Sequence, residues 1–379
     1  KIAFVQNSRP DDEHVLIVPG AKDEVIATGR SRIYSIRSPV ISRATQYRAL
    51  LDLRALSEIV EREQPDILES SDPYQVGWKA IWIGRRERIP VVGFYHSHFI
   101  EAYLRRPAQR LGSRLSKPLL RAARAYVQKL YNCYDATLVP SARLARVLDD
   151  WGVGNTRTVS LGVDATVFHP AVNGSSVRDS FGIPNGRTLL LYVGRLAQEK
   201  NTHTLFEAFS LLRERHPGQF HLLVVGNGQQ RDLLRNLQAE SGQVTWIPYC
   251  TDSHELAKYY RAADLFAHPG VEETFGLVAL ESQACGTPVA GIRGSFMDDV
   301  ILHDQESWAQ ENSPAALAHA IEEMGGRTLS VVGSSAAAQV AARYAWPRVF
   351  ARLFCVYQEV CARYRKATLD EEPTGISHP

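Results

Sequence analysis

Apolar and polar positions follow two regular patterns along this chain. Short apolar runs, which are typical of buried strands, occur in the first half at residues 2–5, 15–18, 67–68, 91–95 and 137–139. Segments 46–63 and 117–129 carry apolar residues at intervals near 3.6, which predicts amphipathic helices. Strands that alternate with helices in this way predict a parallel sheet covered by helices on both faces.

The same alternation restarts in the second half of the chain. Strands are predicted at residues 189–193, 222–225, 244–247, 265–268 and 288–290, and helices at 202–215, 229–241 and 275–284. Segment 160–186 is rich in Gly, Pro, Asn and Ser, which is typical of a linker.

These patterns predict an α/β fold of two doubly wound, Rossmann-like domains that face one cleft. We expect an N-terminal domain over residues 1–165, a C-terminal domain over 166–345, and a last helix within 346–379 that returns to the N-terminal domain before a polar tail. Ligands of such sheets bind outside the carboxyl ends of the strands, so both domains should present their strand ends to the cleft.

Composition narrows the class of protein. The 379 residues are enough for about two domains. The sequence contains no run of about 18 apolar residues, so no membrane span is predicted. The five cysteines are an odd number, widely spaced and without metal-ligand spacing. This favours a reducing, cytoplasmic location and disfavours both a disulfide framework and a metal site.

The net charge of +2 conceals a basic first half and an acidic second half. Eight basic residues and no acidic residue lie between Arg105 and Lys129. Apolar residues interleave with these cations: Leu111, Leu115, Leu119, Leu120 and Tyr126. The segment is predicted either to be a solvated helix face or to lie peripherally on an anionic membrane at the inner face. Because the segment carries no recognition motif, a nucleic-acid partner is not expected.

Two segments of the second half carry candidate binding chemistry. A predicted strand ends at Gly194, and Arg195 and Lys200 follow before a helix begins. A tight turn between a strand and a helix N-terminus can bind a phosphate group, and the two cations would neutralise its charge. The alternative is a solvated turn whose cations only flank the helix.

The second segment runs from Glu273 to Glu281. Phe275, Gly276 and Leu277 would offer backbone N–H groups at a helix start. An ionised carboxylate only accepts hydrogen bonds, which suits the recognition of hydroxyl groups. The alternative is a capping acid together with an exposed glutamate.

Several ordered motifs together carry a family resemblance. They are Gly194-Arg195 with Glu199-Lys200, Val-Gly-Asn-Gly at 225–228, Ala-Asp-Leu-Phe-Ala-His-Pro at 263–269, Glu-Thr-Phe-Gly-Leu from Glu273 with Glu281, and Trp346 at the start of the last helix. This set resembles the retaining nucleotide-sugar glycosyltransferases of the glycogen-synthase-like group, which are glycosyltransferase family 4 with the GT-B fold.

The resemblance implies a role for each matching residue. Arg195 and Lys200 would hold the diphosphate of the donor, Glu281 would bind the ribose hydroxyls, and Glu273 would bind the hydroxyls of the transferred sugar. The backbone of the remaining donor-site residues would approach the nucleotide, phosphate and sugar: Gly194, Gly226, Gly228, Phe275, Gly276 and Leu277. The resemblance implies no essential metal and no cofactor besides the nucleotide diphosphate sugar.

In the first half, His96 follows a predicted strand and matches the histidine that lies near the sugar in the family. His98 is a weaker candidate for the acceptor side. A metal site at this pair is not expected, because no third ligand is obvious in the sequence.

The chain departs from the family pattern in two places. A strand and a Gly-Gly loop are expected at the start, whereas residues 7–14 contain no glycine. Either residues are missing there or the acceptor site is built differently. In the second place, Asp298 or Asp299 stands where a glutamate is expected after Gly294.

The sequence therefore predicts a retaining glycosyltransferase that moves a hexose, mannose or glucose, from a nucleotide diphosphate sugar. The acceptor would be a hydroxyl of a lipid-linked, saccharide or small molecule. The alternatives are a nucleotide-sugar epimerase of the same fold and a non-catalytic nucleotide-sugar-binding module.

Overall fold

The computed structural model describes residues 1–42, 47–96, 100 and 113–371. The elements of the first half are α1 (Ile2–Ser8), β1 (His14–Gly20), β2 (Glu24–Thr28), β3 (Ser31–Arg37), β4 (Val40–Ser42), β5 (Tyr47–Arg48), α2 (Leu53–Glu63), β6 (Leu68–Ser70), α3 (Gln75–Glu87), β7 (Val91–Phe94), α4 (Ser113–Tyr131), β8 (Ala136–Val139), α5 (Ala142–Asp150) and β9 (Thr156–Thr158).

The second half continues the alternation of strands and helices. Its elements are α6 (Ser175–Ser180), β10 (Thr188–Val193), α7 (Thr202–Arg215), β11 (Phe220–Val225), α8 (Arg231–Ser241), β12 (Val244–Ile247), α9 (Ser253–Ala262), β13 (Leu265–Ala267), α10 (Leu277–Ala284), β14 (Val289–Ala290), α11 (Pro314–Gly325), α12 (Leu329–Tyr344) and α13 (Trp346–Glu371).

The sheet of the second half is parallel, with strand order β12-β11-β10-β13-β14. Successive residues of β10 enter opposite cores: Leu189 and Leu191 pack on one face, and Leu190 and Tyr192 on the other. Because both faces are covered by helices, the strands are apolar throughout rather than alternating with polar residues. The predicted parallel α/β architecture is confirmed here.

The first half contains a parallel sheet, β6-β7-β8-β9, and a separate sheet, β1-β3-β2. Strands β1 and β3 are parallel, but β2 and β3 are antiparallel. Only Gly29 and Arg30 separate β2 from β3, and so short a connection can join only antiparallel strands. The expectation of a purely parallel sheet is therefore wrong for this hairpin.

The predicted strand at residues 2–5 is also wrong, because this segment forms helix α1. The Phe4 ring lies 5.5 and 5.6 Å from the rings of Phe350 and Phe354 on α13, and Val5 is fully buried. The guanidinium of Arg30 donates to the carbonyl oxygens of Val5 (3.0 Å) and Gln6 (2.8 Å). These hydrogen bonds satisfy carbonyl groups near the end of the helix. They stabilise a helix whose β-branched residues have low helix propensity.

The helix predicted over residues 46–63 begins only at Leu53. Asp52 caps it by accepting hydrogen bonds from the N–H groups of Arg54 (3.1 Å) and Ala55 (3.0 Å). Residues 47–48 instead form β5, which pairs with β4.

Helix α13 packs on the parallel sheet of the first half. Val349, Leu353 and Val356 share a buried cluster with Val92 and Leu138 of β7 and β8. The chain therefore crosses between the two halves twice, once after β9 and once before α13. The exact domain limits remain a prediction.

Helix α4 carries the described part of the basic segment. Its Lys117, Arg121 and Arg124 are exposed, as are Leu115 and Leu119. Segment 101–112 lies outside the described residues, with Arg105, Arg106, Arg110 and Leu111.

Two of the apolar residues that were expected to interleave with these charges face the protein instead. Leu120 and Tyr126 pack against the core of the first half. The Tyr126 hydroxyl donates to the carbonyl oxygen of Pro73 at 2.8 Å. Across the described helices, none combines the length and the apolar character that crossing a membrane requires.

Candidate active site

Two glycine turns meet at the carboxyl ends of β10 and β11. The Gly194 N–H donates to the carbonyl oxygen of Val225 at 3.0 Å. Gly226 has φ +145°, and a Cβ there would lie 1.9 Å from the Gly194 carbonyl oxygen. A Cβ at Gly228 would likewise lie 2.3 Å from the carbonyl oxygen of Leu196. Only glycine permits these two backbones to approach so closely.

A cavity of about 180 Å³ opens at this strand edge. Its lining residues are Tyr192, Val193, Gly194, Arg195, Lys200, His268, Gly270, Glu273 and Val278. Two cations and a carboxylate thus surround a space at the place where ligands of parallel sheets bind.

Glu273 is held at both carboxylate oxygens. Lys200 Nζ donates to Oε1 at 2.8 Å, and His268 Nε2 lies 3.3 Å from Oε2. Burial alone would raise the pKa of Glu273, but His268 and Lys200 outweigh it and lower the pKa to about 2. The carboxylate is therefore ionised at neutral pH and can accept hydrogen bonds from hydroxyl groups.

Arg195 lies at the rim of the site. Its side chain is 61% exposed and pairs with Glu199 at 3.0 Å. The buried Tyr192 hydroxyl donates to the carbonyl oxygen of Arg195 at 3.0 Å, which fixes the turn while the side chain stays accessible. An exposed pair of this kind is weak and can exchange its partner for a phosphate.

Glu281 sits in a different environment on α10. Its Oε2 accepts a hydrogen bond from the Tyr260 hydroxyl at 2.8 Å. Burial raises the pKa of Glu281 to about 7, although the bond from Tyr260 acts in the opposite direction. The Glu281 carboxyl thus has a hydrogen-bond partner within the protein.

Helix α10 begins at Leu277, four residues after Glu273. Gly276 precedes it with φ +80°, and a Cβ there would lie 2.5 Å from Sδ of Met297. Phe275 is buried and packs edge-on against Tyr344, with 6.0 Å between ring centroids. Leu277 is exposed at the helix start.

The two halves of the molecule touch beside the cavity. Thr274, the neighbour of Glu273, donates from Oγ1 to the carbonyl oxygen of His96 at 3.0 Å. His96 and Arg195 also line a much larger cleft of about 2260 Å³, whose other walls belong mainly to the first half and α13. The smaller cavity therefore adjoins a space that could admit a second substrate.

The described residues contain no group of three or more His, Cys, Asp or Glu that could hold a metal ion. The absence of a metal requirement stays a prediction.

Comparison with known proteins gives the family. The family model of the glycosyl transferases group 1 matches residues 175–325, and the model of Glycosyltransferase Family 4 matches residues 8–167. A GDP-mannose-dependent alpha-(1-6)-phosphatidylinositol dimannoside mannosyltransferase of Mycobacterium tuberculosis is 33% identical over 312 residues, which are 82% of this chain and 78% of that protein. The chain belongs to the group 1 glycosyltransferases.

Other relatives of this glycosyltransferase agree with the assignment. A D-inositol 3-phosphate glycosyltransferase of Saccharomonospora viridis is 34% identical over 234 residues, which are 56% of this chain and 52% of that protein. A GDP-mannose-dependent alpha-mannosyltransferase of Corynebacterium glutamicum is 27% identical over 296 residues, which are 76% of this chain and 66% of that protein. None of these findings supports the epimerase alternative.

Solved structures confirm the GT-B fold of the glycosyltransferase. Sucrose-phosphate synthase of Thermosynechococcus elongatus has a TM-score of 0.72 at 21% identity, covering 92% of this chain and 89% of that chain. HepE of Anabaena, in complex with UDP and glucose, has a TM-score of 0.66 at 16% identity, covering 86% of each chain.

The glycosyltransferase brings some of the predicted residues together and leaves others apart. Gly194, Arg195, Lys200 and Glu273 surround the small cavity, and Gly226 contacts Gly194. Glu281 is not among the residues that line this cavity. His98 lies outside the described residues.

Sequence reasoning missed the partners of both glutamates. His268 stands within the motif 263–269, but that motif alone does not indicate that the imidazole contacts Glu273. Tyr260 belongs to α9, and its bond to Glu281 spans 21 positions of sequence. Such contacts depend on how helices and strands pack, and no local spacing reveals them.

Proposed function

We propose that this glycosyltransferase transfers mannose, with retention of configuration, from a nucleotide diphosphate sugar to a hydroxyl group of a lipid-linked acceptor. The observation that carries the proposal is the cavity where Arg195 and Lys200 flank the ionised Glu273 at the carboxyl edge of a parallel sheet. Cations there suit a diphosphate, and a fixed carboxylate suits sugar hydroxyls.

Each group would act on a different part of the donor. Lys200 and Arg195 would neutralise the diphosphate and stabilise the charge that develops on the leaving group. Glu273 would orient the transferred sugar, and Glu281 would accept from the ribose hydroxyls. The turns at Gly194, Gly226 and Gly228, together with the start of α10, would bring backbone groups close to the nucleotide.

Retention follows from attack on the face that the leaving group departs from. The acceptor oxygen would bond to the anomeric carbon while the bond from that carbon to the diphosphate oxygen breaks. The hydroxyl proton would pass to the departing phosphate, so that no side chain has to act as a nucleophile. His96, at the opening of the larger cleft, would position the sugar or the acceptor. The protein would contribute orientation and electrostatic stabilisation.

The names of the relatives suggest the donor and the acceptor. The mycobacterial protein is described as GDP-mannose-dependent and as acting on a phosphatidylinositol dimannoside. The corynebacterial protein is also described as GDP-mannose-dependent. A mannose donor and an acceptor presented at a membrane are therefore the first to test, and a glucose donor is the second.

The test is transfer from a panel of nucleotide sugars to a mannosylated phosphatidylinositol in detergent. We expect transfer from GDP-mannose with release of GDP, and an alpha linkage in the product by NMR. A product of inverted configuration would refute retention. Donor conversion without transfer would indicate an epimerase, and donor binding without any turnover would indicate a binding module. Full activity in excess chelator is expected, and its loss would refute the metal-free mechanism.

The exposed face of α4 supports peripheral association with an anionic membrane. Leu115 is 63% exposed and Leu119 is 42% exposed, beside exposed Lys117, Arg121 and Arg124. Apolar side chains that enter the interface, together with cations worth about 1 kcal/mol each near an anionic surface, would hold the enzyme next to a lipid acceptor.

Co-sedimentation with vesicles tests this association. Binding should increase with the fraction of anionic lipid and decrease at high salt. Replacing Lys117, Arg121 and Arg124 with Gln should abolish binding while leaving donor affinity unchanged. The matched control replaces Arg231 and Arg235, exposed residues on α8 of the other half, and should still sediment. If the wild-type protein does not sediment at low salt, a soluble saccharide or small molecule becomes the favoured acceptor.

A further inference from the structure

His268 is a buried polar residue that lines the small cavity. Its side chain is 4% exposed, and its Nε2 lies 3.3 Å from Oε2 of Glu273. The backbone N–H of His268 donates to the carbonyl oxygen of Ala290 at 2.9 Å, so the residue is anchored to the neighbouring strand β14. Lys200, the other partner of Glu273, is 24% exposed and has a long, flexible side chain. His268 is therefore the more rigid of the two partners.

The space around the imidazole is restricted on two sides. A Cβ at Gly270 would lie 3.0 Å from Cε1 of His268, and a Cβ at Gly276 would lie 3.8 Å from Nε2. A side chain at residue 270 would crowd the ring. Because Gly270 has no side chain, the imidazole can pack closely against the backbone there. The orientation of Nε2 toward Glu273 is consequently fixed by packing.

The other ring nitrogen shows which form of the imidazole the site favours. Nδ1 of His268 is buried and has no hydrogen-bond partner among the described residues. A proton on Nδ1 would be a buried donor without an acceptor, whereas a proton on Nε2 faces the carboxylate of Glu273. Nε2–H is therefore the donor to the carboxylate.

We propose that His268 is a positioning residue for sugar transfer, which holds Glu273 through its Nε2–H donor in the orientation that binds the transferred sugar. This inference rests on the proposed function and adds a residue to it. His268 would act on the reaction only through Glu273 and would make no contact with the nucleotide.

Two substitutions distinguish the effect of the hydrogen-bond donor from the effect of the ring volume. In His268→Gln the amide N–H can replace Nε2–H, whereas His268→Phe keeps a ring of similar size without a donor. We expect kcat to fall on the order of 100-fold in His268→Phe, because a displaced carboxylate misorients the sugar. His268→Gln should recover most of this loss, and both variants should keep the wild-type affinity for GDP in calorimetry.

The pH profile supplies a readout that a purely structural role would not change. Without His268 the pKa of Glu273 should rise, so the acidic limb of kcat should move to higher pH in His268→Phe and return toward wild type in His268→Gln. The matched control is His221→Phe. His221 is similarly buried, its Nε2 lies 2.8 Å from the Thr245 hydroxyl, and its Nδ1 also has no partner in the described part of the chain, but it lies away from the cavity. It should lower the melting temperature and leave kcat unchanged.

Two results would overturn the role of His268 without touching the proposed function. One is a wild-type kcat in His268→Phe, and the other is an equal loss in the Gln and Phe variants. A parallel loss of GDP affinity would instead make His268 a general structural residue and would also refute the inference. By contrast, a wild-type protein that neither binds a nucleoside diphosphate nor transfers a sugar would refute the proposed function itself.

Discussion

At the scale of single residues, the two glutamates of the site have opposite electrostatic environments. Both are largely buried, which by itself raises the pKa of a carboxyl. Glu273 has Lys200 and His268 as partners and its pKa falls to about 2, whereas the partner of Glu281 among the described residues is the neutral Tyr260 and its pKa rises to about 7. One carboxylate is thus permanently ionised, and the other changes its charge near neutral pH.

This difference predicts a pH dependence for nucleotide binding. If Glu281 accepts hydrogen bonds from ribose hydroxyls, the affinity for GDP should rise between pH 6 and 8 as the carboxyl ionises. Tyr260→Phe removes a bond that lowers the pKa of Glu281, so the midpoint should move to higher pH. Glu281→Gln should bind weakly and lose the pH dependence. Calorimetry at several pH values measures this, and a flat wild-type profile would contradict the assignment.

The same pKa values fix the pH dependence of stability. For Glu281 the folded-state value is raised above the usual 4.5, so its contribution is present below pH 4.5 and is lost as the pH rises through about 7. For Glu273 the folded-state value is lowered, so its contribution is present above pH 4.5 and is lost as the pH falls toward 2. Glu273→Gln should therefore weaken the acid sensitivity of unfolding, whereas Glu281→Gln should weaken the loss of stability between about pH 4.5 and 7. Urea unfolding across pH tests both signs.

Lys200 is predicted to be needed mainly in the transition state. Lys200→Ala removes a charge-assisted partner of the leaving group, which costs about 2–4 kcal/mol of transition-state stabilisation. We expect kcat/KM to fall accordingly. Lys258→Ala is the control, since Lys258 also pairs with a glutamate at 2.8 Å but lies on α9 outside the cavity. Near wild-type turnover of Lys200→Ala would refute the proposal that Lys200 binds the diphosphate of the donor.

At the scale of elements, the sequence predicted the second half better than the first. The helix at Thr202–Arg215 and the strand at Val244–Ile247 have the predicted bounds. Helices cover both faces of the sheet of the second half, so its central strands are continuous apolar runs with clear bounds. The short apolar run at residues 2–5 was wrong because its pattern suits either a strand or a buried helix turn, and contacts with the distant α13 decide between them. Site positions at strand ends were predictable, whereas their partners from other elements were not.

The contact between the turns after β10 and β11 predicts that Gly226 tolerates no side chain. Gly226→Ala would place Cβ against the Gly194 carbonyl oxygen and strain a positive φ, at a cost on the order of 3 kcal/mol. Nucleotide binding should be lost as well. Gly242→Ala is the control, because Gly242 also has a positive φ, of +58°, but open space around it, and it should cost only about 1 kcal/mol. Equal destabilisation of both variants, measured by chemical unfolding, would contradict the close-approach argument.

At the scale of the whole molecule, two chain crossings and a few side chains join the halves. Val163 pairs with Ala345, and the Trp346 N–H donates to the Val163 carbonyl oxygen at 3.2 Å. A Cβ at Gly162 would lie 2.7 Å from the Trp346 ring, so this crossing is tightly packed. The crossings form a compact connection between the two halves. Contacts far from this connection can set how closed the cleft is.

Arg143 on α5 provides such a contact from the first half to the second. Its backbone N–H donates to Asp299 at 2.9 Å, its guanidinium donates to Asp298 at 3.2 Å, and it also donates to the carbonyl oxygen of Gly294. Asp298 and Asp299 thus have a structural role between the halves, where the family pattern led us to expect a glutamate. The pair is partly exposed, so its contribution to the closed arrangement should be modest, about 1 kcal/mol.

Arg143→Gln should therefore shift the molecule toward more open arrangements, by roughly five-fold in population for a loss of about 1 kcal/mol. We expect a larger radius of gyration in X-ray scattering and a raised KM for the acceptor. The affinity for GDP should be almost unchanged, because the residues proposed to bind the nucleotide diphosphate all lie in the second half. The control is Arg146→Gln, an exposed residue one turn further along α5. If saturating donor restores the wild-type radius of gyration in Arg143→Gln, ligand binding and this contact favour the same closed arrangement. An unchanged radius and acceptor KM would show that the two crossings alone set the closure of the cleft.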